Sequence, residues 1–288
     1  MIVVKITGGL GNQMFQYAYA RALQQKGYEV KIDISAITNN SLHGGYQLDK
    51  YNINLKKSSI EENNFFNRHD IVSRVLKKLY LRKDKIIKEK NFFFSNSLLN
   101  LDDDTYVYGY FQSERYFMGI RKEIRKDFTI TGDLSDYTRL VEKWIQDEDS
   151  TVSLHVRRGD YISNKRATAV HGICSMSYYQ NAIKMLNSKF HNNKYFIFSD
   201  DIQWCKENLK INNAIYVDNK GKSVPPHEDL YLMSLCSHNI IANSTFSWWG
   251  GWLNPNLEKT VVAPIRWFAN EQLSSDAYDL VPSKWIRM

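Results

Sequence analysis

The segment His155-Val156-Arg157-Arg158-Gly159-Asp160-Tyr161 sets two adjacent guanidiniums and a carboxylate directly after the apolar run Thr151–Leu154. A guanidinium grips phosphate oxygens in pairs and stays charged at any working pH. Ligands of open α/β sheets bind outside the carboxyl ends of the strands, so the chemistry suggested is capture of a phosphate-bearing ligand by arginine. Arg-Gly-Asp could also be an idle loop or the adhesion tripeptide of a secreted protein. A flexible display loop would not follow a β-branched strand so tightly.

Two more polar clusters follow apolar runs further on. Ser199-Asp200-Asp201 comes after Tyr195–Phe198, and Asn243-Ser244-Thr245-Phe246-Ser247 comes after Ile240–Ala242 and before Trp248-Trp249-Gly250-Gly251-Trp252. Ser244 or Thr245 suits the N-cap of a helix, whose free N–H groups and partial positive charge favour phosphate. With Arg157 and Arg158 beside it, a diphosphate could be neutralised without metal. The plainer reading makes Ser244 a structural cap and the tryptophans core. Asp200 and Asp201 have three candidate roles: metal ligand, N-cap, or acceptor for a base. One carboxylate matches the paired donors of a guanine edge, and the arginines remove the need for a metal charge, so the base role is preferred. Asp102-Asp103-Asp104 has no preceding strand and reads as a solvated turn.

The elements that must position these groups alternate. Strand 2–6, a glycine turn at 8–11, a helix from about Asn12 to Gly27 and strand 28–32 ending at Asp33 form a βαβ unit. Asp33 lies where the ribose-binding acid of a dinucleotide fingerprint would sit. However, Gly9-Leu10-Gly11-Asn12-Gln13-Met14 has methionine where the third glycine is required, which argues against a nicotinamide cofactor. Residues 35–100 read as irregular with a basic helix at 68–83, followed by a strand at 106–111 and a helix at 135–147. Strands are then expected at 151–156, 194–199, 214–217, 238–242 and 260–263, with helices at 176–190, 202–209 and 228–236. This spacing predicts a parallel, doubly wound sheet and two α/β domains joined near Ser150.

Composition sets the outer limits. The 288 residues are 43% hydrophobic and 24% charged, as in ordinary globular proteins, and suffice for two domains. No signal peptide or apolar run of membrane-spanning length is evident, so a cytoplasmic protein is expected. Cys174, Cys205 and Cys236 are odd in number and widely spaced, which suits buried apolar residues rather than a disulfide or zinc site. Part of the net charge of +7 crowds between Arg68 and Lys90. No nucleic-acid-binding motif accompanies it, so a solvated helix face is the first reading and attraction to an anionic membrane surface or substrate the second.

Four blocks together carry a family resemblance: Gly8-Gly9-Leu10-Gly11-Asn12-Gln13-Met14-Phe15-Gln16-Tyr17, His155–Tyr161, Phe198-Ser199-Asp200-Asp201 and Asn243–Gly250. In order and spacing they resemble the signature blocks of the family 11 glycosyltransferases, the α-1,2-fucosyltransferases, here the bacterial ones that build surface polysaccharide such as O-antigen. His43–Tyr46, Gly109–Glu114 and Glu228–Ser234 are similar as well. The resemblance implies a GT-B fold of two Rossmann-like domains facing a central cleft, with an acceptor-side domain at 1–149 and a GDP-fucose-binding domain at 150–288. It implies inverting transfer of fucose from GDP-fucose to O2 of a galactose-terminated glycan, with no cofactor, metal or covalent intermediate. Peripheral contact with the inner face of the membrane would fit such a role.

Carried over residue by residue, the resemblance puts Arg157 on the donor phosphates with Arg158 assisting, and Asp200 or Asp201 on guanine. Gly11, Asn12, His155, Ser244, Thr245, Phe246 and Ser247 also fall on the donor side, and His43, Tyr46, Gln112 and Glu114 on the acceptor side. A base for the acceptor hydroxyl has five candidates, Asp160, Glu228, Asp229, His43 and Glu114, and Asp160 could equally position Arg158. The competing functions are a transferase of another nucleotide sugar and a non-catalytic carbohydrate-binding protein.

Overall fold

Eleven short strands, all paired in parallel, organise the described part of the chain. The computed structural model describes residues 1–37, 44–67, 85–159, 165–222 and 224–288. They fall into two compact units, Met1–Thr131 and Gly132–Met288. The expected basic helix at 68–83 lies outside the described residues.

In the first unit, strand β1 (Ile2–Lys5) leads through a glycine turn into helix α1 (Leu10–Gln25) and then β2 (Val30–Asp33). Gly8 makes the turn at φ +80°, and a side chain there would also press within 2.9 Å of the Asn12 amide. Helix α1 therefore begins at Leu10, two residues earlier than expected. It is buried nearly all round, Met14, Phe15, Tyr17, Ala18, Tyr19 and Leu23 among the buried residues, as suits a central helix. The stretch expected to be irregular contains β3 (Lys56–Lys57), helix α2 (Ile60–Asn67) and β4 (Lys85–Lys88). Strand β5 (Thr105–Tyr108) and helix α3 (Arg121–Asp127) complete the unit, whose strand order is β3-β2-β1-β5-β4. The strand expected at 106–111 ends early, at Tyr108: Gly109 O accepts from the Gln16 side chain, and the Tyr110 and Phe111 amides donate to the Glu89 carboxylate instead of a neighbouring strand.

Asp33 is not a ribose ligand. Its carboxylate accepts hydrogen bonds from the Ser35 amide (2.8 Å), the Asn63 side chain (2.7 Å) and the Tyr106 hydroxyl (2.6 Å), and it is buried. It ties β2, α2 and β5 together.

The second unit opens with helix α4 (Asp136–Gln146), capped by Ser135 through the Thr138 amide. This helix packs with the second unit rather than the first, which puts the division ahead of the junction expected near residue 150. There follow β6 (Thr151–Val156), α5 (Lys165–His171), α6 (Met176–Lys189), β7 (Lys194–Ser199), α7 (Ile202–Asn208), β8 (Ala214–Tyr216), α8 (Pro226–Leu235), β9 (His238–Ile240), α9 (Thr245–Leu253), β10 (Val261–Ala263), α10 (Glu271–Asp276) and β11 (Ile286–Arg287). The expected strands and helices of this half are present, each within about two residues at its ends.

Strand order β11-β10-β9-β6-β7-β8 is the doubly wound Rossmann order. Alternation along β7 shows both faces covered. Tyr195 and Ile197 join Val152, Leu154 and α6 residues Tyr179 and Leu186 on one side, while Phe196 and Phe198 join α4 and α8 residues on the other. Cys205 and Cys236 are buried and Cys174 is half-buried, all three as free thiols. Two Rossmann-like α/β units are therefore present, as the GT-B expectation required.

His238 gives this sheet a pH dependence. Its Nδ1 accepts the Thr260 amide at 3.1 Å, its ring lies 3.8 Å from Phe190, and burial, then Lys189, lowers its pKa to about 4. A histidine kept neutral by folding contributes stability in full above its ordinary value of about 6.5, and loses it as pH falls toward 4. The stability advantage of the wild type over His238→Ala, from denaturant midpoints at a series of pH values, should shrink by about 1 kcal/mol per pH unit across that window.

Candidate active site

The second sheet reverses direction between β6 and β9, and a crevice at such a switch point is where doubly wound sheets bind ligands. Strand β6 is buried along its whole length and ends at His155 and Val156, so its register delivers Arg157, Arg158 and Gly159 to the carboxyl edge. Strand β7, next in the sheet, delivers Asp200 and Asp201 to the same edge. Strand β9 on the other side leads through Asn243 and Ser244 into α9.

One carboxylate organises the two arginines. Asp200 pairs with Arg157 Nη1 at 2.9 Å through Oδ2, and accepts the backbone N–H of Arg158 at 2.9 Å through Oδ1. Arg158 Nε reaches Asp201 at 3.4 Å, and its guanidinium lies 3.7 Å from the centre of the Trp204 ring, a cation–π contact. Asp201 also caps α7 by accepting the Trp204 amide at 3.2 Å. Gly159 leaves room here: a Cβ would stand 2.8 Å from Asp200 Oδ2, so the carboxylate would have to shift. The Arg157 side chain keeps 29% exposure, enough to meet a ligand.

The third cluster closes on the first through His155, whose ring is 5.8 Å from that of Phe246 in the first turn of α9. Burial lowers the His155 pKa to about 4, with Asp200 opposing and Arg157 reinforcing the shift, so the imidazole is neutral; its buried Nδ1 has no hydrogen-bond partner. Ser244 occupies the N-cap, yet its side chain makes no capping hydrogen bond. The first amide turned back into the helix is that of Trp248, bonded to Ser244 O at 3.0 Å, which leaves the amides of Thr245, Phe246 and Ser247 at the open end. Ser247 itself is buried with its hydroxyl bonded to Ser244 O, so its side chain is not directed to a ligand.

Asn243 holds this end together, a role the sequence reading, which named it only as a member of the cluster, did not assign. Its amide donates to the carbonyls of His171 (2.8 Å) and Trp267 (3.2 Å), welding the segments after β6 and β10 to the start of α9.

The first unit has its own switch point, between β1 and β5. Asn12, in the first turn of α1 beside Gly11, accepts a hydrogen bond from Gln112 at 2.8 Å across it, and Gln112 Oε1 is buried without a partner. Two fully buried glutamines, also missed, brace the loops. Gln13 bonds Gly8 O and Gly45 O and accepts the Gln47 amide; Gln16 accepts the Thr7 amide and donates to Gly109 O. Polar residues three apart in an otherwise apolar helix were the available signal. Tyr46 is half-buried with Lys57 4.5 Å from its ring centre, and burial raises its hydroxyl pKa. Glu114 is buried and paired with Arg121, a structural role rather than a free acid. His43 and Asp160 lie outside the described residues.

Of the other acids proposed as a base, Glu228 accepts from Ser135 and Thr138; burial works to raise its pKa, but these bonds outweigh it and hold it low. Asp229 is different: burial raises it to about 6 despite a hydrogen bond from Asn219. Asp200 pairs with Arg157, while Asp201 meets Arg158 and takes the N-cap role that the sequence offered among three.

Comparison with known proteins gives a match of residues 1–288 to the model of Glycosyl transferase family 11. An α-1,2-colitosyltransferase of Escherichia coli is 36% identical over 100% of this chain and 99% of its own length. The O-antigen biosynthesis glycosyltransferase WbnK of Escherichia coli is 34% identical over 98% of this chain and 99% of its own. A galactoside 2-α-L-fucosyltransferase, SEC1 of Bos taurus, is 26% identical over 50% of this chain and 41% of its own.

If Asp200 aims Arg157, adding a methyl group beside it should harm function and spare the fold. Gly159→Ala should lower kcat/KM by roughly tenfold to a hundredfold, the scale of a misplaced catalytic group, with little change in Tm. Steady-state kinetics and a thermal melt check both halves.

Proposed function

Because the chain belongs to glycosyl transferase family 11, we propose that it transfers L-fucose from GDP-fucose to O2 of a galactose residue in a surface glycan, with inversion. The observation that carries this reading is the convergence of Arg157, Arg158 and the open first turn of α9 at one switch point. Two guanidiniums and a helix N-terminus match the charge and the oxygens of a diphosphate.

The acceptor O2 attacks the anomeric carbon from the face opposite the nucleotide. The carbon–oxygen bond to the β-phosphate breaks and its electron pair leaves with GDP, while the proton of the hydroxyl passes to a base. Positive charge grows on the sugar ring and negative charge on the β-phosphate, so a cation fixed at that oxygen stabilises the transition state more than the ground state. Arg157 fills that part. Its pairing with Asp200 keeps the guanidinium in place before the donor arrives, and Arg158, held by Asp201 and Trp204, shapes the loop. The phosphate charge is met by these groups, so no metal is assigned a role. Of the five candidate bases, Asp229 is the one among the described residues whose carboxyl burial raises, to about 6.

A second reading is favoured by the 36% identical colitosyltransferase. Colitose is the 3-deoxy counterpart of fucose, and the diphosphate clamp would serve either sugar. With a β-galactoside acceptor, comparison of kcat/KM for GDP-fucose and GDP-colitose decides between them: fucose transfer predicts the higher value for GDP-fucose, and a 1,2 linkage by NMR of the product. Failure to release GDP from either donor would instead favour a non-catalytic binding protein.

Arg157→Ala should cut kcat by about 10²–10³, the effect of losing one strong oxyanion donor. Arg157→Lys should also be impaired, because a point charge cannot replace the fork. In thermal-shift measurements GDP should raise Tm, whereas UDP should leave it nearly unchanged; equal shifts from both would point to another nucleotide sugar.

A further inference from the structure

Glu89, directly after β4, fixes the loop that follows β5. Its carboxylate accepts the backbone N–H of Tyr110 at 2.6 Å and of Phe111 at 3.0 Å. Burial raises its pKa to about 7, against the pull of those two hydrogen bonds. Gly109 is compelled by this contact, since a Cβ would lie 2.4 Å from that of Glu89. Phe111 is held at φ +52°, a conformation that bulky residues rarely adopt, with its ring buried and stacked 3.8 Å from Tyr19 at an interplanar angle of 10°. Backbone strain of this kind persists where the surroundings over-determine it, and it concentrates at ligand sites.

The consequence is a division of three consecutive side chains. Phe111 anchors the loop inside, Gln112 reaches Asn12 across the switch point, and Tyr110 is left 40% exposed. The Tyr110 ring is stacked on that of Phe92, with centroids 6.2 Å apart and planes within 9° of parallel. Phe92 itself comes four residues after the end of β4 and is half-exposed. An aromatic pair is thus built at the carboxyl edge of the first sheet, next to its switch point, by an acid, an obligatory glycine and a strained phenylalanine. A hydrophobic core gains nothing from such a device at the surface.

We propose that the Phe92–Tyr110 pair is the platform on which the acceptor's pyranose ring stacks, with Glu89 as the positioning residue that sets it. Galactose presents a face of C–H groups that packs on the flat face of an aromatic ring, and a tyrosine supplies that surface with few rotamers to immobilise. The inference rests on the reading of the chain as a transferase to a galactoside, and adds the side chains that select the acceptor.

The test separates acceptor from donor. In the full chain, Tyr110→Ala should raise the KM for a β-galactoside acceptor by about tenfold or more, the equivalent of one aromatic contact. The Kd for GDP, by calorimetry, should stay within about twofold. Tyr110→Phe keeps the ring and should restore the acceptor KM, which a purely structural role for the hydroxyl would not allow. Saturation-transfer NMR with methyl β-D-galactopyranoside should show contact in the wild type and its loss in Tyr110→Ala and Phe92→Ala. An unchanged acceptor KM in Tyr110→Ala, in an enzyme that does transfer sugar, overturns the platform and leaves the proposed function standing. Tyr110-dependent binding of the galactoside without transfer from any donor does the reverse.

Discussion

Asp200 uses both carboxylate oxygens on the end of the neighbouring strand, one on the Arg157 guanidinium and one on the Arg158 backbone. The rest of the second unit serves to bring that carboxylate and those arginines to one place. Parallel pairing of β6 with β7 sets His155 opposite Phe198 and Val156 opposite Ser199, so the polar residues that follow emerge side by side. A shift by one residue would exchange the faces of the strand and part the arginines from Asp200. Register, and the apolar runs that enforce it, are therefore the physical basis of the site.

Around this grip the structure supplies positive potential by two means that do not compete. The guanidiniums are side-chain charges held by acids, while the α9 terminus is a fixed array of backbone dipoles stabilised by the packing of Trp248, Trp249 and Trp252. Asn243 joins the two by fastening the segments after β6 and β10 to the α9 start. His155 stays neutral through burial, so it adds no further charge beside the arginines. A site of this form meets an anion without having to reorganise, which is the condition for stabilising charge as it develops.

The second unit was nearly all legible in the sequence, because strands buried on both faces appear as apolar runs at regular spacing. The first unit was legible at its βαβ start and at β5. Strand β3 is Lys56-Lys57 and β4 is Lys85-Ile86-Ile87-Lys88, both on sheet edges; lysine there blunts the edge against unwanted pairing and erases the alternation that marks a strand. Tertiary contact hid the rest. Gln13 and Gln16 read as polar helix residues but are buried as braces, and Asp33, whose place in a dinucleotide fingerprint the missing third glycine already argued against, holds β2, α2 and β5. The motifs marked residues that meet at the second unit's switch point, yet not that Asp200 would pair with the arginines.

The most direct measurement is a crystal structure of the protein with GDP. The account predicts the β-phosphate within about 3 Å of the Arg157 guanidinium and of the first-turn amides of α9. A diphosphate bound elsewhere, out of reach of Arg157 and with the α9 amides facing solvent, would contradict it.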